Sequence, residues 1–237
     1  MEDYICVLRC KGGTNASDLF IYNGPEDCWL NYTLFQGNKA CIYGCLGDGN
    51  CARVCPKRAI HINNDHLPVI DPNLCDGCGI CVKECPRNVL ELISRSQLVY
   101  LACKSLDIEQ EVKGYCRSGC TGCGICRDVC PYGAIRIENN LPIIDYNRCN
   151  SCGICVKKCP RNCFVDRARA RPYGIISLKC NGCGECVKVC QFNAISGKPN
   201  QRHIIDKEVC IGCGRCFEVC PIRAITMAGA LGYTKVA

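Results

Sequence analysis

The chain has 237 residues, with 30 cysteines, 29 Lys or Arg and 22 Asp or Glu, for a formal charge of +7. That cysteine density excludes an ordinary apolar-core domain and leaves a disulfide scaffold, a zinc protein or an iron–sulfur protein. With one Trp and five Phe, small modules held by cofactors fit better than one large core.

The N-terminus, MEDYICVLRC, lacks the basic and then apolar regions of a secretory signal. No apolar run approaches the roughly 18 residues of a membrane span. A cytoplasmic location without direct membrane insertion is therefore expected, any membrane association running through a partner. In that reducing compartment structural disulfides are rare, which points to metal. The formal charge counts every thiol as neutral. Six clusters with 2+ cores on four thiolates each would bring it to about −5. The basic count is thus no argument for nucleic acid or lipid, and Lys and Arg read as an ordinary solvated surface.

Residues 1–40 form an N-terminal extension carrying Cys6, Cys10 and Cys28. Residues 41–95 make a first domain, opening with Cys41 and the run CLGDGNCARVCP (Cys45, Cys51, Cys55). Asp48 stands there where the second Cys of C-x2-C-x2-C-x3-C belongs. The segment AIHINNDHLPVID alternates around a polar turn and reads as a β-hairpin. The regular run CDGCGICVKECP (Cys75, Cys78, Cys81, Cys85) follows.

A connector, 96–115, holds Cys103. A second domain, 116–163, repeats the plan: Cys116, CTGCGICRDVCP (Cys120, Cys123, Cys126, Cys130), the hairpin AIRIENNLPIID, CNSCGICVKKCP (Cys149, Cys152, Cys155, Cys159) and Cys163. A basic linker, 164–175, carries Arg167, Arg169 and Arg171, either solvated or a docking patch for an acidic partner. A third domain with a C-terminal tail, 176–237, holds CNGCGECVKVCQ (Cys180, Cys183, Cys186, Cys190), AISGKPNQRHIID and CIGCGRCFEVCP (Cys210, Cys213, Cys216, Cys220). Each run suits a short helical turn near its third Cys. The expected fold is small α+β: three tandem bacterial 2[4Fe–4S] ferredoxin-like domains.

A longer repeat is superimposed. At an offset of 75 residues, Cys6, Cys10, Cys28, Cys41, Cys45, Cys51 and Cys55 fall on Cys81, Cys85, Cys103, Cys116, Cys120, Cys126 and Cys130.

A cubane offers four irons, each needing one thiolate. Three cysteines of a run wrap one cube, and the fourth reaches the neighbouring cube, as in two-cluster bacterial ferredoxins. Glycines between the ligands allow tight wrapping, with backbone N–H groups aimed at sulfur. Zinc needs tetrahedral sets and leaves the third and fourth cysteines of each run unexplained.

Six [4Fe–4S] clusters are therefore expected. Cys75, Cys78 and Cys81 pair with Cys55. Cys120, Cys123 and Cys126 pair with Cys159, and Cys149, Cys152 and Cys155 with Cys130. Cys180, Cys183 and Cys186 pair with Cys220, and Cys210, Cys213 and Cys216 with Cys190. The irregular first site takes Cys45, Cys51 and Cys85 with Cys41 as fourth ligand. Asp48 is the alternative, or else a three-iron cluster or none.

Cys6, Cys10, Cys28, Cys103, Cys116 and Cys163 stay unassigned, as buried free thiols or as ligands of an additional cluster or a partner's. His61, His66 and His203 replace no Cys within a motif, so Rieske-type ligation is not expected.

The stretch Cys41–Asn88, the VLRCKGG start, the Cys28 segment and Cys103 through CRSGCTGCGICRDVCP together resemble the B subunit of the Rnf complex, a ferredoxin:NAD oxidoreductase. The resemblance covers residues 5–163; the final pair is a generic ferredoxin module. The family's B subunit begins with a membrane-anchor helix and a separate N-terminal iron–sulfur domain, which are not found here. The resemblance implies a polyferredoxin passing single electrons between a low-potential donor, soluble ferredoxin being a candidate, and a flavin- or metal-containing partner in an oxidoreductase complex. No nucleotide fingerprint or nucleophile–base pair is recognisable, so catalysis is expected in a partner. Two other readings are an iron–sulfur enzyme with an open iron at the first site, and a redox-sensing binding module, for which no DNA-binding pattern is seen.

Overall fold

The computed structural model describes residues 3–167 and 173–228. Arg169 and Arg171 of the basic linker lie outside the described residues.

Three modules follow one plan. The first has β1 (Tyr4–Leu8), β2 (Ile60–Ile62), β3 (Pro68–Ile70) and β4 (Leu90–Ser94), with α1 (Cys28–Thr33), α2 (Asn50–Arg53) and α3 (Ile80–Glu84). The second has β5 (Val99–Leu101), β6 (Ile135–Glu138), β7 (Leu141–Ile144) and β8 (Phe164–Asp166), with α4 (Glu109–Tyr115), α5 (Ile125–Asp128) and α6 (Ile154–Lys158). The third has β9 (Tyr173–Ile176), β10 (Ile195–Ser196), β11 (Ile204–Ile205) and β12 (Ile225–Ala228), with α7 (Glu185–Val189) and α8 (Arg215–Val219).

The expected hairpins are the antiparallel pairs β2–β3, β6–β7 and β10–β11. In the second, Asn139 and Asn140 turn the chain with φ of 48° and 61°, left-handed values that a short polar side chain tolerates. An outer antiparallel ladder closes each module: β1–β4, β5–β8 and β9–β12.

Strands thus arise where an extension, a connector and a linker were expected. Three to five apolar residues carry no decisive period by themselves. Their pairing becomes visible only with the partner strand, which for β1 lies beyond two cysteine runs.

The motif helices begin where expected, one residue before the third Cys of each run. The residue before the helix is glycine each time; Gly79, for example, has φ of 77°, which a side chain would strain.

The cores are unusual in content. Three clusters of buried side chains mix thiols with Ile, Val and Leu, one per module. A fourth joins β1 and β4 (Ile5, Val7, Ile93) to Tyr100 and Ala102 of the second module's outer ladder, so these two ladders pack back to back. A fifth docks the third module on the second through Cys152, Ile154, Ile211, Val129, Phe192 and Cys213. Arg215 donates to the Pro131 carbonyl at 2.7 Å and Asn150 to the Cys213 carbonyl at 3.1 Å across that joint. No helix among the described residues is long and apolar enough to cross a membrane.

Candidate metal centres

The cysteines ring cavities. Cys180, Cys183, Cys186 and Cys220 line one. Cys190, Cys210, Cys213 and Cys216 line another. In the second module Cys120, Cys123 and Cys159 surround Cys126, and Cys130, Cys149 and Cys152 surround Cys155. In the first, Cys55, Cys75 and Cys81 share the core, while Cys78 is exposed. In the second and third modules each four combines three thiols of one run with the last thiol of its partner run, while in the first the core gathers Cys55, Cys75 and Cys81 together with Cys45, Cys51 and Cys85.

At the irregular site the cavity wall holds Cys45, Cys51 and Cys85, and the fourth thiol there is Cys28. Helix α1 brings it in. Asp27 caps the helix by accepting from the Trp29 and Leu30 N–H groups, and the Cys28 N–H donates to Asn50 Oδ1 at 2.7 Å. Cys41, expected in this wall, lines a different cavity. Asp48 is engaged elsewhere: Asn31 Nδ2 donates to its carboxylate at 2.9 Å. A signal for Cys28 was present in the sequence. It shares the 75-residue repeat with Cys103, in the half of the chain where a run has lost its second Cys.

The donor set fits iron–sulfur clusters. Burial pushes the Cys51, Cys126, Cys155 and Cys216 thiols up to about 12, so they do not ionise in neutral water. Iron binding has to supply that deprotonation, which couples cofactor to fold. Backbone N–H groups aim at sulfur in a repeated way. Those of Ala59, Ala134, Cys163 and Ala224 donate to the sulfurs of Cys55, Cys130, Cys159 and Cys220, all at 3.2–3.3 Å. Such donors stabilise anionic clusters and set their potentials.

Two further thiols touch these sets. Cys6 and Cys81 have sulfurs 3.4 Å apart; Cys6 is pushed up and Cys81 down to about 7, so the proton stays on Cys6. Cys163 is fully buried beside Cys120 and Cys159, and its hydrogen bond holds Cys159 down at about 5. His203 is buried in the wall with Cys180 and Cys183; His61 and His66 are exposed.

Comparisons with known proteins agree with this geometry. Residues 119–164 and 173–227 each match a "4Fe-4S dicluster domain", and 45–59 and 67–90 each match a "4Fe-4S binding domain". The B subunit of the Na(+)-translocating ferredoxin:NAD(+) oxidoreductase complex of Acetobacterium woodii is 40% identical over 159 residues, 67% of this chain and 47% of that protein. The chain is a polyferredoxin similar to the Rnf B subunit. Its modules match 4Fe-4S domains and fit several [4Fe–4S] clusters.

Two further relatives extend the polyferredoxin's kinship to an archaeon and a clostridium. They are the B subunit of the ion-translocating oxidoreductase complex of Methanosarcina acetivorans (40% identical; 60% of this chain, 54% of that one) and the B subunit of the proton-translocating ferredoxin:NAD(+) oxidoreductase complex of Clostridium ljungdahlii (41%; 61% and 51%). The chain spans about half the length of these relatives.

Proposed function

We propose that this polyferredoxin carries electrons one at a time through six [4Fe–4S] clusters, between a low-potential donor such as ferredoxin and a flavin- or metal-containing partner that performs the catalysis. Five ligand sets are those expected from the runs. The first takes Cys28, Cys45, Cys51 and Cys85, with Cys28 in the role expected of Cys41. When bound, each cluster supplies a one-electron couple; the chain supplies thiolates, N–H donors and exclusion of water.

The observation that carries this reading is the contact between successive sets. Cys51 of the first set neighbours Cys81 of the second. Cys126 neighbours Cys155, and Cys216 neighbours Cys186. Cys152 neighbours Cys213 across the joint between modules. A relay needs such adjacency; isolated structural clusters do not.

Cys28 in the wall of the irregular site supports a closed set of four thiols over the open iron of a substrate-binding reading. The test is anaerobic isolation with bound subunits from the source cells, followed by reduction with ferredoxin. Reduced clusters that reoxidise only with the co-purified partner support the proposal. Turnover of a substrate by the loaded chain alone contradicts it.

A further inference from the structure

Six cysteines stay outside the six sets: Cys6, Cys10, Cys41, Cys103, Cys116 and Cys163. Four of them, Cys10, Cys41, Cys103 and Cys116, line one cavity between the first and second modules. Cys41, Cys103 and Cys116 are each no more than 8% exposed. Counting space open to solvent, about 410 Å³ of atom-free space lies at this cavity, against 380 Å³ at Cys28/Cys45/Cys51/Cys85 and 360 Å³ at Cys190/Cys210/Cys213/Cys216.

The backbone treats these sulfurs as it treats cluster ligands. At Cys149, Cys152 and Cys213 the N–H two residues ahead, on Ser151, Ile154 and Arg215, is directed at the sulfur. The same holds at all four unassigned cysteines. Gly12 donates to Cys10 at 3.3 Å, and the N–H groups of Tyr43, Ser105 and Ser118 aim at Cys41, Cys103 and Cys116. Further donors come from the flanking centres, Cys45 to Cys10 at 3.5 Å and Cys120 to Cys103 at 3.4 Å.

A second feature points to an anion. Arg87 is buried at 9% exposure; Nη1 donates to the Cys41 carbonyl at 2.6 Å, while Nε and Nη2 have no partner. Arg87 lines the Cys28/Cys45/Cys51/Cys85 cavity, and its charge also acts on Cys41 and Cys10 of the neighbouring one. Beyond the Tyr32 ring, 5.9 Å away, nothing among the described residues offsets this buried guanidinium, and cluster–thiolate assemblies of net negative charge in the cavity it lines and at the adjoining Cys41 would do so.

We infer that Cys10, Cys41, Cys103 and Cys116 bind a seventh [4Fe–4S] cluster, bridging the first and second modules. The inference rests on the iron–sulfur reading of the six sets. On loading a 2+ core, four thiols release protons to solvent as four iron–sulfur bonds form, with no change in electron count. The site joins Cys45 on one side to Cys120 on the other, so the two ferredoxin pairs become one continuous row. The repeat accounts for its origin. In the second half Cys123 completes a regular run and frees Cys103; in the first, Asp48 fills that place and Cys28 is recruited.

The test is iron and acid-labile sulfide per full-length chain after anaerobic reconstitution. The wild type is expected to hold about 28 of each. The double variant Cys41→Ala/Cys103→Ala is expected to fall to about 24, and Cys163→Ala to stay at about 28. Should the double variant not fold, the cluster count in the native mass of the wild type decides. About 24 irons in the wild type, or no loss in a folded double variant, overturns the seventh cluster and leaves the six standing. Absence of iron and sulfide overturns both readings.

Discussion

Arg87 reaches from the end of one cysteine run to the backbone of Cys41, donating to its carbonyl at 2.6 Å from a buried position. In the second module Arg161 does the same at the Cys116 carbonyl. These arginines tie each run to the cysteine that precedes its module.

Arg87→Met removes a charged hydrogen bond and is expected to destabilise the loaded chain by about 2 kcal/mol. It also removes a cation beside the Cys28/Cys45/Cys51/Cys85 centre, so that centre's midpoint potential should fall. Arg87→Lys keeps the charge and should restore most of the potential. Redox titration followed by EPR checks this; equal potentials in both variants count against the electrostatic role.

Cys28→Ala leaves the irregular centre with three thiols. The expected result is loss of one iron from that centre, seen as a three-iron EPR signal in the oxidised protein, or loss of the whole cluster. Asp48→Asn is expected to leave the iron content unchanged, since Asp48 bonds Asn31. The reverse pattern assigns the fourth ligand to Asp48.

Cys163→Ala should keep every cluster but shift one. The buried thiol lies against Cys120 and Cys159, and its hydrogen bond favours the more negative, reduced state of their centre. Losing about 1 kcal/mol of that preference lowers the midpoint by on the order of 40 mV. An unchanged potential shows that Cys163 is only a packing residue.

Ile211→Asp places a charge in the joint formed with Cys152, Ile154 and Phe192. Burying it unpaired costs about 3 kcal/mol or more, so the third module should undock. Small-angle scattering is expected to report a larger radius, with any iron loss confined to the Cys190/Cys210/Cys213/Cys216 centre whose cavity Ile211 lines. A compact variant means that the two hydrogen bonds across the joint suffice.

What was legible in the sequence was what local spacing dictates. The runs, their pairing, the hairpins and the start of each helix at a glycine all follow from residues within a few positions of one another. What escaped it needed distant segments to meet. Strand β1 pairs with β4, some 85 residues later, and nothing in YICVL names its partner. Cys28 is out of motif and is carried to its site by a capped helix. Cys41 sits close to Cys45 in sequence, which suggested a shared site, yet only Cys45 reaches the wall with Cys28, Cys51 and Cys85, while Cys41 lines the neighbouring cavity that Cys45 also borders. The repeat offset held the needed clue, since it related Cys28 to Cys103 and Cys41 to Cys116.

A relay requires the sets to be close enough to exchange electrons, and EPR of the fully reduced, fully loaded chain tests that most directly. Adjacent paramagnetic centres are expected to give broadened, fast-relaxing spectra from spin–spin coupling throughout the chain. Sharp, slowly relaxing signals that add up as independent clusters would contradict it.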